Sequence, residues 1–279
     1  MGKLDNVIIF EDSMRLCKTN DRIKESVKKS IADQKLILEN DKIGEINRTI
    51  YGEEAKVVVS KKRSLEAAAG YIGQRVAVHN FASATNPGGG VAKGASAQEE
   101  CLCRISTLYP CLNEKYMWDN FYGSHRRTKN PLHNDDIIYT PNVLVFKEDV
   151  ASPILMTDEN WYEVDVITCA APNLRKVPGN AYNPGDGDCA EVVSDDELGK
   201  IHEKRLRRML DVAVANSVEV VILGAFGCGA FCNNPEVVAR AANKVIEEYK
   251  YAFKTIEFAV YCREWDTENY RVFERVMGK

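Results

Sequence analysis

Two adjacent acids, Glu99 and Glu100, follow a run of three glycines at residues 88–90, with Gln98 directly before them. Successive residues on a helix point about 100° apart, so the two carboxylates cannot do the same job. The simplest explanation of the pair is that acids are favourable in the first turn of a helix. A chemical explanation is that one acid holds the hydroxyl groups of a sugar while the other transfers protons.

Three polar side chains near the acids, Asn80, Asn86 and Gln98, favour the chemical explanation. The N-terminus of a helix lowers the pKa of a carboxyl group placed there, which opposes proton donation. Desolvation and a bound diphosphate raise that pKa again. We therefore expect the proton donor to be protonated mainly when substrate is bound.

A second glycine-rich stretch, LGAFGCGAFCNNP at residues 223–235, also lies between a predicted strand and a predicted helix. Its backbone N–H groups and the helix dipole would favour a phosphate, although any tight turn here needs glycines. It lacks the lysine of a Walker loop and the third glycine of the dinucleotide fingerprint. Phe226 and Phe231 flank it, either as core residues or as contacts to a sugar or base. Together the two loops could hold a diphosphate across one crevice.

The elements that must position these loops are short β-rich runs alternating with helices, which predicts an α/β layered fold. The predicted strands are 56–60, 75–83, 142–146, 165–171, 218–226 and 255–262. Helices are predicted at 5–40, 64–72, 97–108, 194–217 and 234–249. Their predicted start signals are Asn20, Ser64, a capping box from Ser194 to Glu197, and Asn234 followed by Pro235. Residues 175–188 are rich in Gly and Pro, which predicts a long exposed loop.

The composition excludes several classes of protein. A formal net charge of −4 argues against binding nucleic acid by bulk electrostatics. We expect neither a membrane-spanning segment nor a signal peptide, because no apolar run has the required length. The nine cysteines include no Cys-x-x-Cys pair, which favours buried thiols in a reducing cytoplasm over a zinc site.

The two loops together resemble the catalytic core of the microbial poly(ADP-ribose) glycohydrolases, a branch of the macrodomain superfamily. In that family three glycines precede Gln-Glu-Glu by a short spacer, and here the segment reads GGGVAKGASAQEE. The segments NFASATNPGGG, YTPNVLVFKED, VITCAAPN and LGAFGCGAFCNNP are similar too. The resemblance implies a three-layer α/β/α macrodomain with a mixed central sheet. We interpret residues 1–50 as an N-terminal helical extension and residues 51–279 as the catalytic core.

The resemblance also implies a reaction, hydrolysis of the ribose–ribose O-glycosidic bond of poly(ADP-ribose) from chain ends, which releases ADP-ribose. Glu100 is then the general acid and Glu99 binds ribose hydroxyls, which departs from the usual two-carboxylate glycosidase layout. The candidate ligand-binding residues are Asn80, Asn86, Gly88, Gly89, Gly90, Gln98, Gly224, Phe226, Gly227, Cys228, Gly229, Ala230 and Phe231. We expect no metal, no cofactor, no membrane and no sequence-specific nucleic acid partner, and a cytoplasmic location.

Two alternative functions stay open at this point. The substrate could be mono-ADP-ribosylated protein or nucleic acid, or a related nucleotide, or the chain could bind ADP-ribose without catalysis. Binding alone does not need both acids, which argues against the second. We expect His79 to lie in the core. The basic residues 125–127 predict either a solvated surface or a contact with a phosphate of the polymer.

Overall fold

A single seven-stranded sheet lies at the centre of the protein, in a computed structural model that describes residues 2–278. The strands are β1 (Lys35–Ile37), β2 (Lys56–Ser60), β3 (Val76–Phe81), β4 (Ile137–Val145), β5 (Tyr162–Cys169), β6 (Val220–Leu223) and β7 (Thr255–Ala259). Their spatial order is β1-β4-β5-β3-β6-β7-β2. Strands β2, β3, β5, β6 and β7 are parallel, whereas β4 runs antiparallel to both of its neighbours. The predicted mixed sheet is therefore confirmed.

Helices cover both faces of this sheet. They are α1 (Lys3–Thr19), α2 (Asp21–Asp33), α3 (Ser64–Ala68), α4 (Gln98–Ile105), α5 (Leu108–Leu112), α6 (Lys115–Met117), α7 (Gly123–Thr128), α8 (Asp195–Ala215), α9 (Pro235–Ile246) and α10 (Glu268–Met277). A π-helical turn at Trp118–Tyr122 joins α6 to α7. Two large buried clusters, one on each face of the sheet, give the three layers that the family resemblance implies.

The alternation of side chains along each strand builds these two clusters. On β3, Val76 and Val78 pack with α3, α4 and α5, whereas Ala77 packs with α8, α9 and α10. All three side chains are at most 3% exposed, as expected for a parallel strand covered on both faces. The carboxyl end of β3 is thereby fixed between two helical layers, and the first glycine loop starts there.

The predicted helix over residues 5–40 is wrong in its last part. Asn20 ends α1 and caps α2, where its side chain accepts a hydrogen bond from the Ile23 N–H at 3.1 Å, as predicted. Gln34 is extended, and residues 35–37 then join the sheet as edge strand β1. The cause is tertiary, because the Gln34 side chain accepts from the Thr140 hydroxyl at 2.7 Å and donates to the Cys111 carbonyl at 3.1 Å.

Several predicted boundaries also differ. The helix predicted over 97–108 divides at Ser106, which is extended and whose hydroxyl donates to the Leu102 carbonyl at 2.7 Å. Strand β4 is longer than the predicted 142–146, and β6 ends at Leu223 rather than at 226. Helix α3 begins at Ser64 itself, with Arg63 as its N-cap, so Ser64 is not the cap. The predicted starts of α8 and α9, in contrast, are confirmed.

Two further expectations concern buried groups. His79 is 3% exposed in the core, where burial lowers its pKa to about 3. The basic residues 125–127 form α7 rather than a solvated loop, and His125 is buried at 5% exposure. The loop at 175–188 has no helix or strand, but Asn183 and Asp186 are buried, so it is only partly exposed.

No helix within residues 2–278 is both long enough and apolar enough to cross a membrane. All nine cysteines are free thiols.

Candidate active site

The first glycine loop begins directly after β3 and turns back at residues 88–90. The Gly89 N–H donates to the Asn86 carbonyl at 2.9 Å, and the Asn86 side-chain amide donates back to the Gly89 carbonyl. Gly88 and Gly89 have φ values of +65° and +56°, a left-handed backbone that only glycine adopts freely. Asn86 therefore braces the turn and does not line the cleft described below.

The space beside each of these glycines is occupied by the protein itself. A Cβ atom on Gly89 would lie 2.6 Å from Glu100 Oε1 and 3.2 Å from Glu99 Oε2. A Cβ on Gly88 would meet the Tyr109 ring at 2.8 Å, and one on Gly90 would collide with the Tyr182 ring. The glycine run thus makes room for the two carboxylates, a reason that the sequence interpretation lacks.

The two acids lie in the first turn of α4 and are both buried, at 3% and 6% exposure. Glu99 Oε2 accepts from the Ser83 N–H at 2.8 Å, and Glu99 Oε1 accepts from the Asn80 amide at 3.3 Å. Glu100 Oε1 accepts from the Gly90 N–H at 2.9 Å, whereas Glu100 Oε2 is buried without a hydrogen-bond partner among residues 2–278. Glu100 therefore keeps one oxygen for a ligand.

Burial raises the pKa of Glu99 well above its usual value, and the adjacent charge of Glu100 raises it further. The hydrogen bonds from Ser83 and Asn80 oppose this shift without cancelling it. A carboxyl group with a raised pKa keeps its proton towards neutral pH, so the pair of acids holds a proton close to the cleft.

We expect the substitution Glu99→Gln to change how stability depends on pH. The folded wild type binds the Glu99 proton more tightly than the unfolded chain does. The resulting stabilisation is complete below about pH 4.5, the usual glutamate pKa, and declines as pH rises towards the raised value. Urea unfolding of both proteins is measured between pH 4 and 8. The free energy of unfolding of the variant should rise relative to that of the wild type by up to about 1.4 kcal/mol per pH unit. A difference that stays constant with pH would contradict the raised pKa.

Gln98 connects α4 to the end of β3. Its side-chain oxygen accepts from the Phe81 N–H at 2.9 Å, and its amide donates to the His79 carbonyl at 2.7 Å and to the Ser64 hydroxyl at 3.0 Å. The amide group is thus occupied by protein partners. Gln98 holds the first turn of α4, and with it both acids, against the sheet.

The second glycine loop follows β6 and turns at Gly227, whose φ is +77°. A Cβ atom there would lie 2.7 Å from Ala171 Cβ and 2.9 Å from the Asn233 amide. Asn233 donates to the carbonyls of Pro172, Gly227 and Phe231 at 2.7, 3.2 and 3.1 Å. The loop is therefore shaped by Asn233, which the sequence interpretation overlooked although it belongs to the quoted stretch.

The backbone of this second loop leaves several donors available. Within the described chain, no acceptor is found for the N–H groups of Gly227, Gly229, Ala230 and Phe231. The Cys228 N–H, in contrast, donates to the Ala225 carbonyl at 3.2 Å. Four unpaired N–H groups on one turn are suited to an anionic ligand such as a diphosphate.

A cleft of about 530 Å³ connects both loops, a volume typical of a site for a small molecule. The predicted residues that line it are Gly89, Gln98, Glu99, Glu100, Phe226, Gly227, Gly229, Ala230 and Phe231. The other predicted residues, Asn80, Asn86, Gly88, Gly90, Gly224 and Cys228, lie behind this lining. Gly224, for example, fits between the Ala259 carbonyl and the Phe81 ring.

The cleft has further lining residues that the sequence interpretation did not select. Tyr182 and Asn183 come from the irregular loop before α8, and Tyr261 follows β7. The Arg63 guanidinium lies 4.1 Å from the centroid of the Tyr261 ring. Only the position of Tyr261 near the carboxyl end of the predicted strand 255–262 could have indicated a role, because ligand sites in α/β folds lie at the carboxyl ends of strands.

No group of three or more His, Cys, Asp or Glu side chains within residues 2–278 is arranged to hold a metal ion. The groups that line the cleft include the two adjacent carboxylates, backbone donors of the second loop and aromatic rings, together with Asp149 and Arg263.

Comparison with known proteins identifies relatives of this chain. The family model for the catalytic domain of microbial-type PARG matches residues 8–148. A poly(ADP-ribose) glycohydrolase structure from Thermomonospora curvata is 28% identical, with a TM-score of 0.84 over 97% of this chain and 98% of the other. The Deinococcus radiodurans enzyme in complex with ADP-ribose is also 28% identical, with a TM-score of 0.76 over 90% and 96%. A search of curated proteins gives no match.

Proposed function

This chain belongs to the microbial-type poly(ADP-ribose) glycohydrolase family, and from that membership we propose the roles of its residues in the reaction. It has the macrodomain-like α/β/α fold of that family and is a glycosidase acting on the ribose–ribose O-glycosidic bond of poly(ADP-ribose). ADP-ribose is the product. The observation that supports the role assignments best is the buried pair of Glu99 and Glu100 opposite four unpaired N–H groups.

We assign Glu100 as the general acid because Oε2 of this residue is the carboxylate oxygen left without a partner. It donates a proton to the O2′ oxygen of the departing unit as the bond from that oxygen to C1″ breaks. The electron-poor C1″ centre then takes a water molecule. The water gives up a proton to the same carboxylate, directly or through the ligand diphosphate, so Glu100 regains its proton and charge and atoms balance over one turnover.

Glu99 is assigned to the ribose hydroxyls. In the free protein, burial raises the pKa of Glu99 well above its usual value. Hydroxyl groups that donate to this carboxylate favour its charged form, so a bound ribose lowers the pKa of Glu99 again.

The second loop is assigned to the diphosphate. The N–H groups of Gly227, Gly229 and Ala230 line the cleft and lack acceptors within the described chain. Phe231 packs against the distal ribose. The adenosine then lies towards Tyr261, at the far end of the cleft.

Four broader assignments belong to the same proposal. We propose that Arg263 and Asn269, both in the cleft lining, close its far end and so restrict attack to chain ends. Nine free thiols support a cytoplasmic location. The formal net charge of −4 supports the absence of a sequence-specific nucleic acid partner. Treating residues 1–50 as an extension is supported by α1 and α2, although β1 of this segment joins the sheet.

A product-length time course tests attack from chain ends. Long poly(ADP-ribose) is incubated with the wild type, and products are separated by length and identified by mass spectrometry, with mono-ADP-ribosylated protein in parallel. We expect free ADP-ribose from the first time point, slow shortening of the chains, and little release from the mono-modified protein. Early release of oligomers would contradict attack from chain ends.

A further inference from the structure

A small cluster of two lysines and a tyrosine lies at the mouth of the cleft; we call Lys3, Lys93 and Tyr182 the rim cluster. The Lys3 ammonium donates to the Tyr182 hydroxyl at 3.2 Å, and the Lys93 ammonium donates to the Ala181 carbonyl at 2.7 Å. Both ammonium groups lie 5.9 Å from the centroid of the Tyr182 ring. Three segments that are distant in the sequence thus place two cations around one aromatic ring.

The rim cluster lies beside the proposed general acid. The Tyr182 ring packs directly on Gly90, and the Gly90 N–H donates to Glu100 Oε1 at 2.9 Å. Tyr182 also lines the cleft. A group that leaves the acid on this side therefore meets the Tyr182 ring, around which the two ammonium groups lie.

Helix α1 fixes the position of Lys3 in this cluster. The Asn6 amide donates to the Gly94 carbonyl at 2.9 Å, and the Lys3 carbonyl lies so close to Gly94 that a Cβ there would collide with it. Gly94 also has a left-handed φ of +75°. The start of α1 is thus tied to the loop that carries Lys93.

Both lysines are exposed, and neither forms a salt bridge within the described residues. The acid on the same turn of α1, Asp5, accepts a hydrogen bond from the Gly2 N–H at 2.8 Å. Two cations without a carboxylate partner, next to an accessible aromatic ring, are suited to a ligand that combines negative charge with a flat ring system.

We propose that the rim cluster binds the ADP-ribose unit on the leaving side of the cleaved bond. This rests on the assignment of Glu100 as the acid, because that assignment fixes which way the remaining polymer leaves. Each unit of the polymer carries a diphosphate with two negative charges and an adenine ring. Lys3 and Lys93 contact the diphosphate, and Tyr182 packs against the sugar or the base. The free product fills the cleft and does not reach the two ammonium groups, which lie outside the cleft lining.

The test is the double charge reversal Lys3→Glu with Lys93→Glu. We expect kcat/KM on poly(ADP-ribose) to fall roughly 10-fold or more at low salt, since exposed ionic contacts contribute modestly and reversal adds repulsion. The dependence of log kcat/KM on log salt concentration should become shallower by about 1 unit. The Kd for ADP-ribose should change less than about twofold, because a rim contact outside the cleft adds little to it.

The matched control is the double variant Lys24→Glu with Lys42→Glu. It makes the same charge change at exposed sites outside the cleft lining.

Binding without turnover separates this subsite from the reaction itself. In a Glu100→Ala background, the double charge reversal should weaken binding of a long polymer by about the same factor as it lowers kcat/KM. The Kd for ADP-ribose should not change. The variant Lys3→Arg with Lys93→Arg keeps both charges and should retain polymer binding. If polymer and ADP-ribose binding weaken equally, the lysines merely hold the loop and the proposal fails. If the reversal behaves like the control, it also fails. Absence of polymer turnover by the wild type would instead contradict the catalytic assignment.

Discussion

Replacing Glu100 with alanine should abolish release of ADP-ribose from poly(ADP-ribose) while ADP-ribose still binds. The variant loses the carboxyl group that donates the proton, and general acid catalysis of this kind contributes about 10²- to 10⁴-fold in rate. Because Glu100 Oε2 has no protein partner in the free protein, its removal leaves no unpaired donor apart from the Gly90 N–H. We therefore expect kcat to fall at least about 1,000-fold, with a folded protein and a nearly unchanged Kd for product.

Glu100→Gln is the matched control for the loss of packing. Glutamine can still accept from the Gly90 N–H but cannot donate a proton as an acid, so it should be as inactive as alanine. Near-full activity of either variant would show that another group is the acid, with Glu99 the first candidate because its pKa is raised.

Replacing Gly89 with alanine should damage both stability and catalysis. The φ of +56° at this position costs a residue with a side chain about 1–2 kcal/mol. The new methyl group would also lie 2.6 Å from Glu100 Oε1 and must displace it. We expect kcat on polymer to fall at least about 100-fold, since displacement of reacting groups by about 1 Å has effects of this size. Urea unfolding and steady-state kinetics measure the two effects.

Gly73→Ala provides a control for backbone strain alone. Gly73 also has a left-handed φ, of +96°, but a Cβ atom there meets nothing within 4 Å. This variant should lose a similar amount of stability and keep its activity. If Gly89→Ala is as active as Gly73→Ala, the glycine is needed only for its backbone, and the contact with the carboxylates has no catalytic importance.

The features that the sequence predicted well are those encoded by neighbouring residues. The caps of α2, α8 and α9 follow from one or a few side chains each, and the alternation of strands with helices follows from local patterns. The two glycine loops could be placed at the carboxyl ends of strands for the same reason. Their convergence on one cleft then follows from the parallel pairing of β3 with β6.

The features that the sequence did not predict depend on contacts between distant segments. Residues 35–37 become a strand because β4 offers them an edge, which no local pattern encodes. Tyr182 belongs to a segment without helix or strand, and Lys3, its hydrogen-bond partner, precedes it by 179 residues. The tight fit of Gly89 against two carboxylates likewise depends on how α4 docks on β3 through Gln98.

The most direct test of the central claim uses a dimer of ADP-ribose, joined by one ribose–ribose bond and attached to no protein. This molecule contains the bond assigned to the enzyme and no bond to a protein. Incubation with the wild type, followed by mass spectrometry, should show complete conversion of each dimer into two molecules of ADP-ribose, and no conversion by Glu100→Ala. The account would be contradicted if the dimer stayed intact with folded wild type, while the same protein released ADP-ribose from mono-modified protein.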